Sequence, residues 1–132
     1  MSNQFSNPPG LAVPNGFSHV ARTTGRTTLS VSGQVAYDSE GGIVGVGDLA
    51  AQTDQVYRNI QTALAAHGAT MNDIVKTTLF VRDLSPDKAV VIRRVRAAYI
   101  SSDKPPASTM VGVSSLAKPE LLLEVEATAV ID

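Results

Sequence analysis

Cysteine and tryptophan are absent from the 132 residues. The missing thiol excludes disulfides, thiolate nucleophiles and zinc–thiolate sites, and it fits a reducing compartment. Neither sign of charge is in excess: 11 Lys and Arg against 12 Asp and Glu leave a net charge of −1. That balance lacks the electrostatic footprint of a phosphate-driven nucleic-acid binder or a membrane-surface protein. No stretch approaches the roughly 18 consecutive apolar residues of a membrane span. The first ten residues, MSNQFSNPPG, have neither the positive nor the apolar region of a signal peptide. A cytoplasmic protein with no membrane partner is expected. Histidine is nearly missing too: His19 and His67 stand far apart with no ligand-spaced partner, so no metal site is expected. The run from Gly41 to Gly47 has no Lys-Ser/Thr after it, and a hairpin turn explains it better than a phosphate-cradling loop.

What is present is organised around the last third. From Leu121 to Ile131, side chains at alternate positions put Leu121, Leu123, Val125, Ala127, Ala129 and Ile131 on one apolar face. Glu124 and Glu126 share the other face with Leu122, Thr128 and Val130, so these carboxylates stand on a half-buried surface. Upstream, Ala107 to Val113 reads as a partner strand, closed off by the turn Ala117-Lys118-Pro119-Glu120.

The first 26 residues are rich in Pro, Gly, Asn and Ser and suggest an arm laid over a surface, with a short strand around Ser18 to Ala21. Thr27 to Tyr37 alternates as a strand, and Asp38 to Gly42 makes a hairpin turn into a second strand, Ile43 to Val46. Gly33 inside the first strand signals a bulge or a close backbone approach. Asp48 caps a helix to about His67, with Leu49, Thr53, Val56, Ile60 and Leu64 in a narrow stripe and Gly68 at its end. Ile74 to Arg82 alternates again. Ser85-Pro86-Asp87 opens a second helix whose apolar positions are Val91, Val95, Ala98 and Tyr99. The order β-β-α-β-α-β-β predicts a single α+β domain over residues 1–132, one mixed sheet with both helices on one face. The other sheet face, still carrying Val, Phe, Met and Leu, is expected to be hidden in a closed oligomer.

Glu124 is the leading chemical candidate, as a general acid or base acting on water; the structural alternative is an ion pair with a lysine or arginine of a neighbouring strand. Arg93, Arg94 and Arg96, with Arg22 and Arg26, form a basic cluster that reads more readily as a solvated helix face than as an RNA surface. The strand hydroxyls Ser30, Ser32, Ser108 and Thr109 have no histidine base placed beside them.

Four segments together resemble the Rid family (reactive intermediate deaminase, also called YjgF): Val31-Ser32-Gly33-Gln34; Gln52-Thr53 through Asn59-Ile60 and Leu64; Asp73 through Leu84 in DIVKTTLFVRDL; and Pro106-Ala107-Ser108 through Leu123-Glu124-Val125-Glu126-Ala127. The resemblance implies a chorismate-mutase-like fold, a homotrimer whose sheets form an inner barrel, and small-molecule clefts between subunits, with no cofactor. The implied activity is hydrolysis of enamines and imines, released from amino acids such as serine and threonine by pyridoxal-phosphate enzymes, to 2-keto acids and ammonia. In the family's site a glutamate positions water, which falls on Glu124, and a strand serine falls on Ser32, next to Gly33. The arginine that clamps a substrate carboxylate falls on Ser108, the cysteine two residues on falls on Met110, and the aromatic hydroxyl falls on Phe17. An asparagine of the second helix falls near Ile92.

These departures bear on substrate. Losing one partner of a guanidinium–carboxylate fork costs about 2 to 5 kcal/mol, so a 2-imino acid such as 2-aminoacrylate is expected to bind about 30-fold to several thousandfold more weakly. Arg22, Arg26 and Arg82 are alternative sources of a cation. Two other readings stand beside hydrolysis: a non-catalytic trimer that binds a small ligand, and an endoribonuclease or translation inhibitor, against which the charge balance argues.

Overall fold

The computed structural model describes residues 2–132. In chain order it contains β1 (Asn3–Ser6), β2 (Val20–Thr23), β3 (Thr27–Gln34), α1 (Leu49–Ala65), a 3-10 turn at Met71–Asp73, β4 (Ile74–Arg82), α2 (Pro86–Arg96), β5 (Ala107–Val113) and β6 (Leu123–Ile131). The main sheet has the order β3-β6-β4-β5, antiparallel except for the parallel β4/β5 pair, and β1-β2 form a separate two-stranded ribbon. The architecture is the expected α+β single sheet with two helices on one face.

Alternation along the two central strands sets the core. Thr77, Leu79 and Val81 of β4 and Leu123, Val125, Ala127 and Ala129 of β6 are buried, together with Val56, Tyr57, Ile60 and Leu64 of α1 and Ile92 of α2. Their neighbours Lys76, Thr78 and Phe80 on β4 and Glu124, Glu126 and Thr128 on β6 take the opposite face. That face is open except where the N-terminal arm covers Val130; Asn3 Nδ2 donates to its carbonyl at 3.0 Å.

Both helices begin where the sequence places them. Asp48 accepts from the Ala51 amide at 3.1 Å and Ser85 from the Lys88 amide at 3.3 Å, satisfying donors that a helix start leaves free. The buried face of α1 is wider than its apolar stripe, because Gln52 and Tyr57 are also fully buried. Gln52 belongs there because three backbone groups need it. Its Oε1 accepts from the Leu122 amide at 2.9 Å, and its Nε2 donates to the carbonyls of Glu120 at 2.9 Å and Gly45 at 3.2 Å.

Five expectations are corrected. Ala107–Val113 is a strand, but it does not pair with the last one: β5 runs parallel to β4, and β6 crosses back to lie between β3 and β4. The segment Ile43 to Val46 is not a strand. The hairpin closes at the Tyr37–Ile43 bridge, but Gly45 and Gly47 adopt φ of 72° and 76°, which is incompatible with extended backbone. The N-terminal arm holds two short strands rather than one. On α2 the inward residues are Ala89, Ile92 and Arg96, whereas Val90 is 48% exposed; the helix is rotated from the stripe through Val91 and Val95. Finally, Met110 packs against the core beneath the helices rather than on the open face.

Candidate active site

The bulge expected at Gly33 is present: the β3–β6 register shifts between Val31 and Gln34. Its consequence is a close contact. A Cβ built on Gly33 would lie 1.9 Å from Glu124 Oε2 and 2.7 Å from the carboxyl carbon, so the carboxylate occupies the space a side chain would fill. On its other flank Glu124 is paired across the ladder with Phe80 of β4. The side chain is thus half-buried between a bare stretch of backbone and an aromatic ring. The ion pairs among the described residues are Arg58–Asp54 and Arg82–Asp83; Glu124 has none, so the structural alternative is not realised within one chain. Ser32, beside Gly33, is exposed and lines a groove of about 310 Å³ between β3 and α1.

The remaining expected residues lie at the other edge of the sheet. Ser108, on edge strand β5, is register-paired with Thr77, and the two hydroxyls are 3.0 Å apart. Met110, two residues on, faces the same way. Phe17 sits in the loop that docks on the start of this strand. There the Ser18 amide donates to the Pro106 carbonyl at 3.0 Å and the Ser18 hydroxyl to the Pro105 carbonyl at 2.5 Å. The Phe17 ring meets His19 edge-on, with centroids 5.3 Å apart, and borders a cleft of about 580 Å³ with Asn7, Pro14, Ser18, Lys104 and Pro105. One chain therefore holds two groups rather than one site: Ser32, Gly33 and Glu124 toward the β3 edge, and Phe17, Ser108 and Met110 at the β5 edge.

The arginines named as alternative cations are not placed at either group as free donors. Arg82 donates to the Pro119 carbonyl and pairs with Asp83 at 3.9 Å, while Arg22 and Arg26 are exposed near the N-terminal ribbon. Nor do the α2 arginines form one solvated face: Arg94 is exposed, Arg93 half-buried and Arg96 buried. Sequence reasoning missed Arg96. It occupies the helix position one turn beyond Ile92, and only the rotation of α2 reveals that it points inward. Beside it, burial pushes the Tyr57 phenol up to about 12, an effect the nearby Arg96 guanidinium partly offsets. The Tyr57 hydroxyl has no hydrogen-bond partner; the guanidinium is near it without the geometry of a bond.

The family described as Endoribonuclease L-PSP matches residues 10–131. The chain belongs to this family, the Rid or RidA/YjgF proteins. A RutC family protein of Pyrococcus horikoshii is 37% identical over 101 residues, covering 76% of this chain and 77% of that one. The crystal structure of a protein of unknown function of the conserved Rid family from Yersinia pestis is 38% identical, with a TM-score of 0.92 over 99% of this chain and 100% of that one. That of a RidA from an Antarctic Psychrobacter is 28% identical, with a TM-score of 0.72 over 99% of both chains. Within this Rid chain, α1 carries the Gln52-Thr53 motif for a structural reason, the pinning of the loop before β6. The DIVKTTLFVRDL motif spans central strand β4. Among the described residues no helix is long and apolar enough to cross a membrane.

Proposed function

We propose that this Rid protein hydrolyses a small imine or enamine in a cleft completed between copies of the chain, with water activated by Glu124. The observation that carries the reading is the Glu124 carboxylate, half-buried, without a cation, and set against the bare backbone of Gly33. A carboxylate kept unpaired in a partly desolvated place retains its acceptor capacity for water and for a proton. The two residue groups lie toward opposite edges of one sheet, β3 and β5. A head-to-tail ring would bring the β3 side of one copy against the β5 edge of the next, and a closed trimer is the arrangement that also hides the open sheet face.

In the chemical step, Glu124 takes a proton from water as its oxygen bonds to the imine carbon, and the C=N π pair moves to nitrogen. The proton is returned to nitrogen to give the carbinolamine; Glu124 then carries the hydroxyl proton to the same nitrogen, the C–N bond breaks, and ammonia leaves as the oxygen forms C=O. An imine and one water give one carbonyl compound and one ammonia. Strand β5 offers no cation and Phe17 no hydroxyl, so neither supplies the carboxylate clamp or the phenol implied by the family pattern.

That same deficit supports a second reading, a non-catalytic trimer binding a small ligand. RNA cleavage, the activity in the family's description, finds no continuous basic face on α2, since Arg96 is turned inward. Ammonia release from a panel of small charged and uncharged imines tests the hydrolytic reading. Release above the spontaneous rate supports it, and its absence across the panel favours the binding protein.

A further inference from the structure

The chain has five asparagines, Asn3, Asn7, Asn15, Asn59 and Asn72, and of these Asn15 alone precedes a glycine. The fold restrains the other four. Asn3 lies in β1 with its Nδ2 on the Val130 carbonyl at 3.0 Å. Asn7 accepts from the His19 amide at 2.8 Å and is followed by Pro8, which has no amide proton. Asn59, inside α1, donates to the carbonyls of Val35 at 3.0 Å and Tyr37 at 2.9 Å. After Asn72, the Asp73 amide is engaged by the Thr70 carbonyl at 3.0 Å. Asn15 has no such restraint: it is exposed, and among the described residues neither its side chain nor the Gly16 amide makes a hydrogen bond.

Asparagine is a chemically labile side chain, because the amide nitrogen of the next residue can attack its Cγ. A glycine in that next position has no Cβ to obstruct the approach and leaves the backbone free to turn toward it. The loop nevertheless needs Gly16. Its φ of 78° lies in the left-handed region that side chains disfavour, and a Cβ there would come within 2.9 Å of Arg96 Nη2. The residue that opens Asn15 to attack is therefore one that the loop cannot exchange without strain.

We propose that Asn15-Gly16 is a self-modification site, at which the loop carrying Phe17 converts by deamidation to aspartyl and isoaspartyl forms. The Gly16 nitrogen bonds to Asn15 Cγ and gives up its proton, the Cγ–Nδ2 bond breaks, and the side-chain amide leaves with that proton as ammonia. Water then opens the resulting succinimide. Opening at Cγ leaves an ordinary aspartyl residue, and opening at the main-chain carbonyl carbon leaves an isoaspartyl residue whose backbone is one methylene longer. One water enters, one ammonia leaves, and no atom changes oxidation state. Both products carry a negative charge where the loop had none. The isoaspartyl form also lengthens the segment that runs into Ser18, which is tied to Pro105 and Pro106 at the start of β5. Phe17 lies within that segment, so the modification re-seats the ring that borders the cleft of about 580 Å³. This inference goes beyond the hydrolytic reading and does not depend on it.

The test is incubation of the full chain in mildly alkaline buffer, for wild type and Asn15→Gln, followed by mass-spectrometric peptide mapping and enzymatic methylation of isoaspartyl carboxyls. Isoaspartate is expected at position 15, accumulating at least about tenfold faster than at Asn72, where a hydrogen bond must first break and the attacking residue carries a side chain. Asn15→Gln is expected to lose this signal. Conversion at Asn15 no faster than at Asn72 overturns the proposal, as does equal isoaspartate in the two proteins. The modified wild type, separated from the fresh protein on anion exchange by its added negative charge, is then compared with it by amide NMR. Shifts at Gly16 to Ser18 support the re-seating of the loop, and a spectrum unchanged at these residues overturns it.

Discussion

The carboxylate of Glu124 lies where a side chain on residue 33 would have to be, with Oε2 1.9 Å from the position of a Cβ on Gly33. A methyl group there must displace the carboxylate or spread the bulge. Gly33→Ala is expected to cost about 1 to 3 kcal/mol of stability, as overpacking does. It should also lower turnover at least about tenfold, because each 1.4 kcal/mol of lost transition-state stabilisation is a factor of ten. Denaturant unfolding and ammonia release measure the two effects, and an Ala variant with wild-type turnover would separate Glu124 from the bulge.

Gln52 ties the Gly45 turn and the Glu120–Leu122 segment to α1 through three hydrogen bonds from a fully buried amide. Gln52→Leu keeps the volume but takes the partner from the half-buried Leu122 amide and from the Glu120 carbonyl, while the Gly45 carbonyl keeps the Asp48 amide at 2.9 Å. At roughly 1 to 3 kcal/mol for a buried group left unsatisfied, a loss of about 1 to 3 kcal/mol is expected. A denaturation midpoint unchanged from wild type would show that the loop is held by other means.

Tyr57 presents the opposite case. Its ring stacks on Tyr99 at 5.5 Å between centroids, but its buried hydroxyl has no hydrogen-bond partner. Removing such a group relieves a desolvation cost, so Tyr57→Phe is expected to be neutral or to stabilise by about 1 kcal/mol. A destabilised variant in thermal unfolding would mean that the hydroxyl is engaged, with Arg96 as the neighbour able to donate to it.

The same phenol makes a pH prediction. Its value is raised from 10.0 to about 12, chiefly by burial. The folded state therefore keeps the proton that the unfolded state releases near pH 10. Stability is unaffected below about pH 10 and falls between about pH 10 and 12, by about 2 to 3 kcal/mol in total. Denaturation midpoints across that range should drop more steeply for wild type than for Tyr57→Phe, and parallel profiles would contradict the assignment.

The elements most legible in the sequence are those whose signals are local. Val75–Arg82 alternates because β4 is central with a core face and an open face, and Asp48 and Ser85 announce their helices because a free backbone donor must be capped nearby. Gly33 was readable as a bulge or a close approach, and it proves to be both. What was not legible depends on partners distant in sequence. Nothing in Ala107–Val113 says whether it pairs with β6 or lies parallel to β4, because the alternation is the same either way. The rotation of α2 was hidden because Val90, Val91 and Val95 outweigh one arginine in any apolar count, although Arg96 is the residue turned inward. The candidate residues Phe17, Ser32, Gly33, Ser108, Met110 and Glu124 could be named from the sequence but their arrangement could not, since a single chain divides them between two sides of the sheet.

Ammonia release from a hydrolysable small imine, wild type against Glu124→Gln with the oligomeric state of both verified, tests whether Glu124 activates the water. Glutamine keeps the shape beside Gly33 and Phe80 but cannot take a proton from water. A fall of about 100-fold or more is expected, the usual contribution of a positioned general base, with folding and assembly unchanged. Equal rates for the two proteins would remove Glu124 from the chemistry.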